Sequence, residues 1–295
     1  MSNRTHVLIT GGTGYLGSRL VLMCLEKGYR VSVLLRASSY FDLKGKTPVC
    51  IYQLEANKDV ASILIQCYPD VVIHAACCYG RHGESVEDVY NANYAFGVDL
   101  LSMFKEGDKQ CTFFNCHTSL PYNVSLYAKL KHEFAEYGLN YIGHSRENLK
   151  FVNVELEHIY GPHDSCLKFV TYVLRACVNN QKKLELTLGE QIRDFIYIED
   201  VLSAFDVLIE KRNVTFFPDK IGLGFGRGES IRSIVELIHQ RTVSKTQLCF
   251  GAVPYREYEL MKSMADISFL KTLGWSPRFS IQEGIEDLLL KEICL

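Results

Sequence analysis

The chain has 295 residues, 47% hydrophobic and 22% charged, with 7 prolines and a formal net charge of −2. That balance suits one large α/β domain or a domain with an added lobe, ordered throughout. It supplies no basic field for nucleic acid and no run near the roughly 20 apolar residues of a membrane span. The segment before the first strand leaves no room for a signal peptide, so a cytoplasmic protein is expected.

The run Val7-Leu8-Ile9-Thr10 reads as a strand that breaks at Gly11-Gly12-Thr13-Gly14-Tyr15-Leu16-Gly17 into an amphipathic helix (Leu16, Leu20, Met23, Cys24) closed by Gly28. Glycines spaced in that context form a dinucleotide site. Gly11 permits a tight turn, Gly14 lets backbone approach a pyrophosphate, and Gly17 lets the helix pack closely on the strand. The phosphates then rest on free N–H groups at the positive end of the helix dipole, which assigns Gly11, Thr13, Gly14, Tyr15, Leu16 and Gly17 to the cofactor. A second strand, 31–35, ends in Arg36-Ala37-Ser38-Ser39. An acidic residue there would hold a ribose 2′-hydroxyl and repel a 2′-phosphate. None is present, and Arg36 with the hydroxyls of Ser38 and Ser39 can clasp a phosphate, which favours NADP(H) and leaves NAD(H) open.

Strands and helices keep alternating, as in a doubly wound parallel sheet of Rossmann type. The expected order is a strand at 49–52, a helix near 59–68, a strand at 71–76, a helix at 85–104, a strand at 112–116, a helix at 126–144 and a strand at 151–154. The strand ending in His74-Ala75-Ala76 finishes in small residues, as backbone running close under a cofactor requires, so these three are assigned to the cofactor site. His74 is read as a satisfied strand-end histidine. Arg81, just beyond, is placed toward the nicotinamide end and the substrate, with a solvated loop as the alternative. Asn93 is expected to order a water or a backbone carbonyl. His117 and His158 are given no chemistry.

The catalytic candidate is Tyr127, with Lys131 four residues on and on the same helical face. An adjacent ammonium favours phenolate, so it lowers the tyrosine pKa and lets the side chain give or take a proton near neutral pH. The same spacing recurs at Tyr40/Lys44 and Tyr258/Lys262. Only Tyr127 follows a central strand ending in hydroxyls, Thr118 and Ser119, which can polarise a substrate oxygen.

After Tyr160-Gly161-Pro162 the periodicity changes to a helix at 167–178, a short strand at 184–186 and a core-like segment at 193–201. Ser230 and Ser280 read as N-caps, and Glu283 completes a capping box with Ser280. Residues 1–160 plus about 190–225 are expected to form the dinucleotide-binding domain, and 161–189 plus 226–295 a smaller substrate-binding lobe, with the ligand cleft at the C-terminal ends of the strands. The 11 cysteines include no Cys-x-x-Cys pair. Cys50, Cys67, Cys77, Cys111 and Cys249 read as small core residues of a reducing compartment, and no metal site is expected.

Residues 10–17, Thr118, the Tyr127/Lys131 pair, Tyr160-Gly161-Pro162 and Arg193-Asp194-Phe195 resemble, in order, the motif series of the extended short-chain dehydrogenases/reductases, the NAD-dependent epimerase/dehydratase family. Members of that family mostly act on nucleotide-activated sugars. The resemblance implies that Tyr127 is the acid/base, that Lys131 holds the nicotinamide ribose and that Thr118 bonds the reacting sugar oxygen. It also implies that Arg193 and Arg256 clasp the nucleotide diphosphate, for which planar bidentate donors are suited. The stretches 155–162, 168–170, 250–257 and 273–277 further resemble the bacterial reductases that make 3,6-dideoxyhexoses, the CDP-abequose and CDP-paratose synthases. Departures are Leu130 where Ser or Thr usually precedes the lysine, Glu155 where arginine is common, and Ser119-Leu120 where the 4,6-dehydratases carry an Asp-Glu pair. Without those carboxylates dehydration lacks its acid and base.

The expected activity is therefore NADPH-dependent reduction of a 4-keto nucleotide sugar at C4. An NAD-dependent 4-epimerase is the alternative, and a dinucleotide-binding scaffold without turnover a third reading. By analogy with relatives, the two long helices imply a C2 homodimer.

Overall fold

A computed structural model describes residues 4–36, 49–54, 68–104, 109–143 and 148–293. Ser38, Ser39, Cys67 and most of the expected helix near 59–68 lie outside the described residues. Runs of continuous apolar residues make strands buried on both faces, as a parallel sheet covered by helices requires. All residues of β1 (His6–Thr10) are buried, and in β2 (Arg30–Arg36) only the two end residues are exposed. With β3 (Val49–Leu54), β4 (Val71–His74), β5 (Cys111–Thr118), β6 (Leu149–Leu156) and a later strand, β10 (Lys220–Leu223), they form a seven-stranded sheet in the order β10-β6-β5-β4-β1-β2-β3. The registers β1–β2, β1–β4, β2–β3 and β4–β5 are all parallel.

α1 (Tyr15–Glu26) follows β1, and Gly28 takes φ +79° just after its end, as the closing glycine was expected to do. The long helix read at 85–104 is interrupted. It consists of α2 (Val86–Tyr90), a π-turn at Asn91–Ala95 and α3 (Phe96–Ser102). α4 (Leu126–Ile142) then packs with these elements over β5, in a core that joins Phe113, Phe134, Phe151, Leu100 and Leu101. Ser125 caps α4 through Ala128 N–H, and Ser85 with Asp88 forms a full capping box at α2.

The chain divides into two compact units, Met1–Glu155 with Phe205–Ile221, and Leu156–Ala204 with Gly222–Leu295. The second unit holds a three-stranded sheet, β11 (Gly228–Ser230), β9 (Ile192–Tyr197) and β7 (His158–Tyr160), and a parallel pair of β12 (Gln247–Phe250) with β8 (Lys183–Leu186). Its helices include α5 (Phe169–Val178), α7 (Ile231–Arg241), capped by Ser230, α8 (Ser268–Thr272) and α9 (Ile281–Ile293), while α6 (Ile198–Glu210) runs from this unit into the first. Ser280 and Glu283 make the expected capping box at α9.

The cysteine reading needs correction. Cys111 is buried, but Cys50 and Cys77 are exposed and Cys249 half-buried. Among the described residues Cys50 sits on β3, at the edge of the sheet, and Cys77 in the loop after β4, so an apolar run in sequence did not become core at either place.

Candidate active site

The glycine loop is shaped by close approach. Gly11 has φ +69°, and a Cβ there would come within 2.7 Å of the Ala76 backbone, so the turn after β1 lies directly against the turn after β4. A Cβ at Gly17 would run into the carbonyl oxygen of Gly11, which fixes how tightly α1 packs on its own loop. The N-terminus of α1 has no side-chain cap and no acidic residue in its first turn, so the N–H groups beside Gly14, Tyr15, Leu16 and Gly17 offer a positive end to an anion. Thr13 and Gly14 are exposed at this loop's rim. On the other wall, Thr10 Oγ1 meets His74 Nδ1 at 2.9 Å and accepts from Ala76 N–H at 3.2 Å, which ties together the ends of β1 and β4.

Tyr127, the second residue of α4, is 8% exposed, and Lys131 on the same face is 1% exposed. Thr118 ends β5, and the ring of Tyr79 lies against that of Tyr127, their centres 4.6 Å apart and their planes tilted by 42°. The expected depression of the Tyr127 pKa by Lys131 is not what this site shows. Burial holds the phenol well above the ordinary value, and the neighbouring Tyr79 and Cys77 add to that. Burial also lowers the Lys131 amine, and its Nζ has no hydrogen-bond partner.

Further buried polar atoms of β4 and β5 are orphaned. His74 was read as satisfied, yet only Nδ1 is. Its Nε2 is buried without a partner, among Phe96, Phe113 and Phe134. Asn115 donates to Asn153 at 2.8 Å while its own Oδ1 is unpartnered, and His117 Nδ1 is likewise alone. Burial first, then the charge of Lys131, pushes His117 down to about 3 and His74 well below its ordinary value, so both imidazoles stay neutral. Buried orphans on the paired strands β4 and β5 and on α4 mark places where a ligand or ordered water completes the bonding. Together with the glycine cradle and the uncapped helix, they fit a dinucleotide with a pyrophosphate and a ribose.

Other expected residues are placed less tightly. Arg36 is exposed at the end of β2, near Asp88, whose carboxyl is held low by Ser85 first and by Arg36 in addition. Arg81 is exposed in the loop after β4, its guanidinium 5.3 Å from the Tyr79 ring centre, and Ser119 and the Ala75-Ala76 turn are half-buried. In the second unit Arg193 is buried and ion-paired with Glu259 at 2.6 Å, not a surface arginine, and Arg256 is exposed. Glu155, standing where arginine is common, pairs with Lys220 at 3.1 Å. Among the described residues no group of three metal-capable side chains gathers.

Sequence reasoning missed Tyr79 and the exact work of Asn93. Asn93 lies in the π-turn, fully buried, and holds the backbone of Cys78 from both sides, accepting from its N–H at 3.2 Å and donating to its carbonyl at 2.7 Å. π-turns often mark functional sites, but a 3.6-residue pattern does not reveal one in advance.

Residues 7–221 match the NAD dependent epimerase/dehydratase family. Over 293 residues the chain is 30% identical to a CDP-abequose synthase of Salmonella muenchen, covering 96% of each chain. Among solved structures it is similar to a UDP-glucose 4-epimerase of Thermotoga maritima with UDP-glucose, at TM-score 0.79 and 22% identity over 97% of this chain and 98% of that one. It is also similar to a Thermus thermophilus UDP-glucose 4-epimerase in complex with NAD, at TM-score 0.74 and 21% identity over 97% and 98%. At that identity the likeness is one of fold.

Proposed function

The chain belongs to the NAD-dependent epimerase/dehydratase family, and from that premise we propose that it reduces the 4-keto group of a deoxy or dideoxy nucleotide sugar with NADPH, toward a sugar of bacterial surface polysaccharide such as lipopolysaccharide O-antigen. The observation that carries this reading is the buried Tyr127 phenol, kept protonated at neutral pH on the helical face that also carries buried Lys131. A 4-ketoreductase begins with an acid at the carbonyl oxygen, whereas a 4-epimerase begins by removing a proton from a C4 hydroxyl. A phenol with a raised pKa serves the first task better than the second. The likeness to a CDP-abequose synthase points the same way.

In this reading Gly11, Thr13, Gly14, Tyr15, Leu16 and Gly17 receive the pyrophosphate on backbone N–H groups, and Lys131 holds the nicotinamide ribose. His74, Ala75 and Ala76 form the floor, and Arg36 with Ser38 and Ser39 receives the 2′-phosphate. When bound, the reduced nicotinamide supplies a hydride to C4 of the sugar. Thr118 and Tyr127 bond the carbonyl oxygen, and Tyr127 gives it the proton that makes the alcohol. Arg81 and Ser119 are assigned to the sugar, and Arg193 and Arg256 to the diphosphate. Ser119 and Leu120 offer no carboxylate for dehydration. A homodimer is part of the same proposal, supported by the ladder Tyr90, Tyr94, Tyr137 and Tyr141, whose successive ring centres are 5.5, 6.1 and 6.0 Å apart along α2, the π-turn and α4.

Titration of the wild type with NADPH and with NADH, repeated on Arg36→Ala, tests the reading. NADPH is expected to bind more tightly, with the preference lost in the variant. If NAD copurifies, or NADH binds better, the 4-epimerase reading replaces this one.

A further inference from the structure

The segment that joins β5 to α4 starts at Thr118 and holds a single short helical turn, Tyr122–Val124. Its backbone polar groups must therefore find partners outside regular structure. Leu120 finds both of its partners in side chains. Its N–H donates to Thr118 Oγ1 at 3.2 Å, and its carbonyl oxygen lies 2.8 Å from His132 Nε2. A carbonyl only accepts, so the His132 ring carries a proton on Nε2. Pro121 comes next and has no N–H to add to the anchorage.

α4 grips this segment with residues three and four apart on one helical face. At the exposed end, Glu133 accepts from the Tyr122 hydroxyl at 2.9 Å, and Lys129 Nζ stands 5.9 Å from the Tyr122 ring centre. His132 does something different. It is half-buried, with its ring edge-on to that of His117 at 4.6 Å between centres and 85° between planes, and 6.0 Å from that of Tyr122. From there it bonds the main chain of the residue that is bonded to Thr118.

A threonine hydroxyl has one proton to donate and two lone pairs that accept. With Leu120 N–H on one lone pair, the Thr118 side chain is held in place and its proton is turned toward another partner. That is the state in which it donates to an oxygen gaining negative charge. Resting on the reductase reading, in which Thr118 bonds the 4-keto oxygen, we propose that His132 is a positioning residue for Thr118. By holding the Leu120 carbonyl it keeps the Leu120 N–H on Thr118, and so presets the threonine as a donor to the reacting oxygen.

Two substitutions separate the bond from the packing. His132→Phe keeps an aromatic ring against His117 and Tyr122 and removes the donor, whereas His132→Gln removes the ring and sets an amide N–H about where Nε2 stands. His132→Asn, whose amide ends short of that place, should behave as His132→Phe does. In ligand-free protein with ring-15N-labelled histidine, the His132 signals are those lost in His132→Gln. At about pH 8, above the ordinary range of imidazole, they should report the neutral tautomer protonated on Nε2. Deuterium uptake across residues 118–122 should quicken in His132→Phe and stay near the wild-type rate in His132→Gln. Turnover is then read in the oxidative direction, which passes through the same transition state, with NADP+ and a panel of CDP-, dTDP-, UDP- and GDP-linked 6-deoxy- and 3,6-dideoxyhexoses. On the sugar that the wild type oxidises, His132→Phe should lose about tenfold in kcat with KM nearly unchanged, and His132→Gln should stay within about threefold of wild type. Tyr122→Phe, which cuts the surface bond to Glu133, should leave kcat unchanged. An Nδ1-protonated tautomer, unchanged uptake or kcat in His132→Phe, or a loss in His132→Gln as large as in His132→Phe overturns the role of His132 and leaves the reductase reading standing. A wild type that oxidises none of the panel, even with tautomer and uptake as expected, overturns the reductase reading and with it the role assigned to His132.

Discussion

Two influences act on the Tyr127 phenol in opposite directions. A protonated Lys131 nearby favours phenolate, and withdrawal from water favours phenol. Burial wins, because Lys131 is itself 1% exposed and its own charged form is disfavoured by the same enclosure. Reduction needs the protonated phenol, and a group with a raised pKa loses its proton only as pH rises through that value. The rate of ketone reduction at saturating NADPH should therefore stay level from about pH 6 to about pH 9 and fall only above that. An alkaline limb near neutrality would show that Lys131 governs the site. Tyr127→Phe should lower kcat by about 100- to 10,000-fold while leaving NADPH affinity unchanged in a binding titration.

At the scale of elements, the helix between β4 and β5 does more than cover the sheet. Its π-turn turns Asn93 inward, and three hydrogen bonds from that side chain reach Cys78 and Val89. Asn93→Ala leaves the Cys78 N–H and carbonyl without their side-chain partner, and should cost about 2 kcal/mol in urea unfolding, more than Ser85→Ala at the exposed capping box, about 1 kcal/mol. If the two variants cost the same, the clamp on the 77–79 loop is not what stabilises it. The other junction is the glycine loop. Gly17→Ala drives a methyl into the Gly11 carbonyl, so it should abolish dinucleotide binding by calorimetry even where the chain still folds.

For the molecule as a whole, the neutral imidazoles tie stability to pH. His117 stays uncharged in the fold down to about pH 3, whereas in the unfolded chain it takes up a proton near 6.5. Its folded-state pKa is depressed, so the unfolded state binds the extra proton and stability falls as pH drops from 6.5 toward 3. Between pH 7 and pH 5 this amounts to about 2 kcal/mol, and His117→Asn should show a shallower decline in denaturant midpoint over that interval. Assembly has its own test at this scale. If the tyrosine ladder is an interface, Val86→Asp with Tyr90→Asp, at positions 73% and 44% exposed, should convert a sedimenting dimer to monomer.

The amino-acid order by itself determined the Rossmann architecture and the position of the glycine loop after β1. Continuous apolar strands, the glycines at 11, 14 and 17 and the helix caps are all local signals, written within a few residues of where they act. It also singled out Tyr127, Lys131 and Thr118, because helical spacing and a strand end are likewise local. Tertiary structure alone decided which polar atoms lose water. His74 is bonded on one nitrogen and orphaned on the other, Cys77 is exposed at the end of an apolar run, and Arg193 is buried against Glu259. Tyr79 reaches Tyr127 only because a π-turn 15 residues beyond Cys78 holds that loop in place. The physical reason is common to all of these. Desolvation and side-chain pairing depend on which distant segments meet, and no short stretch of sequence carries that information.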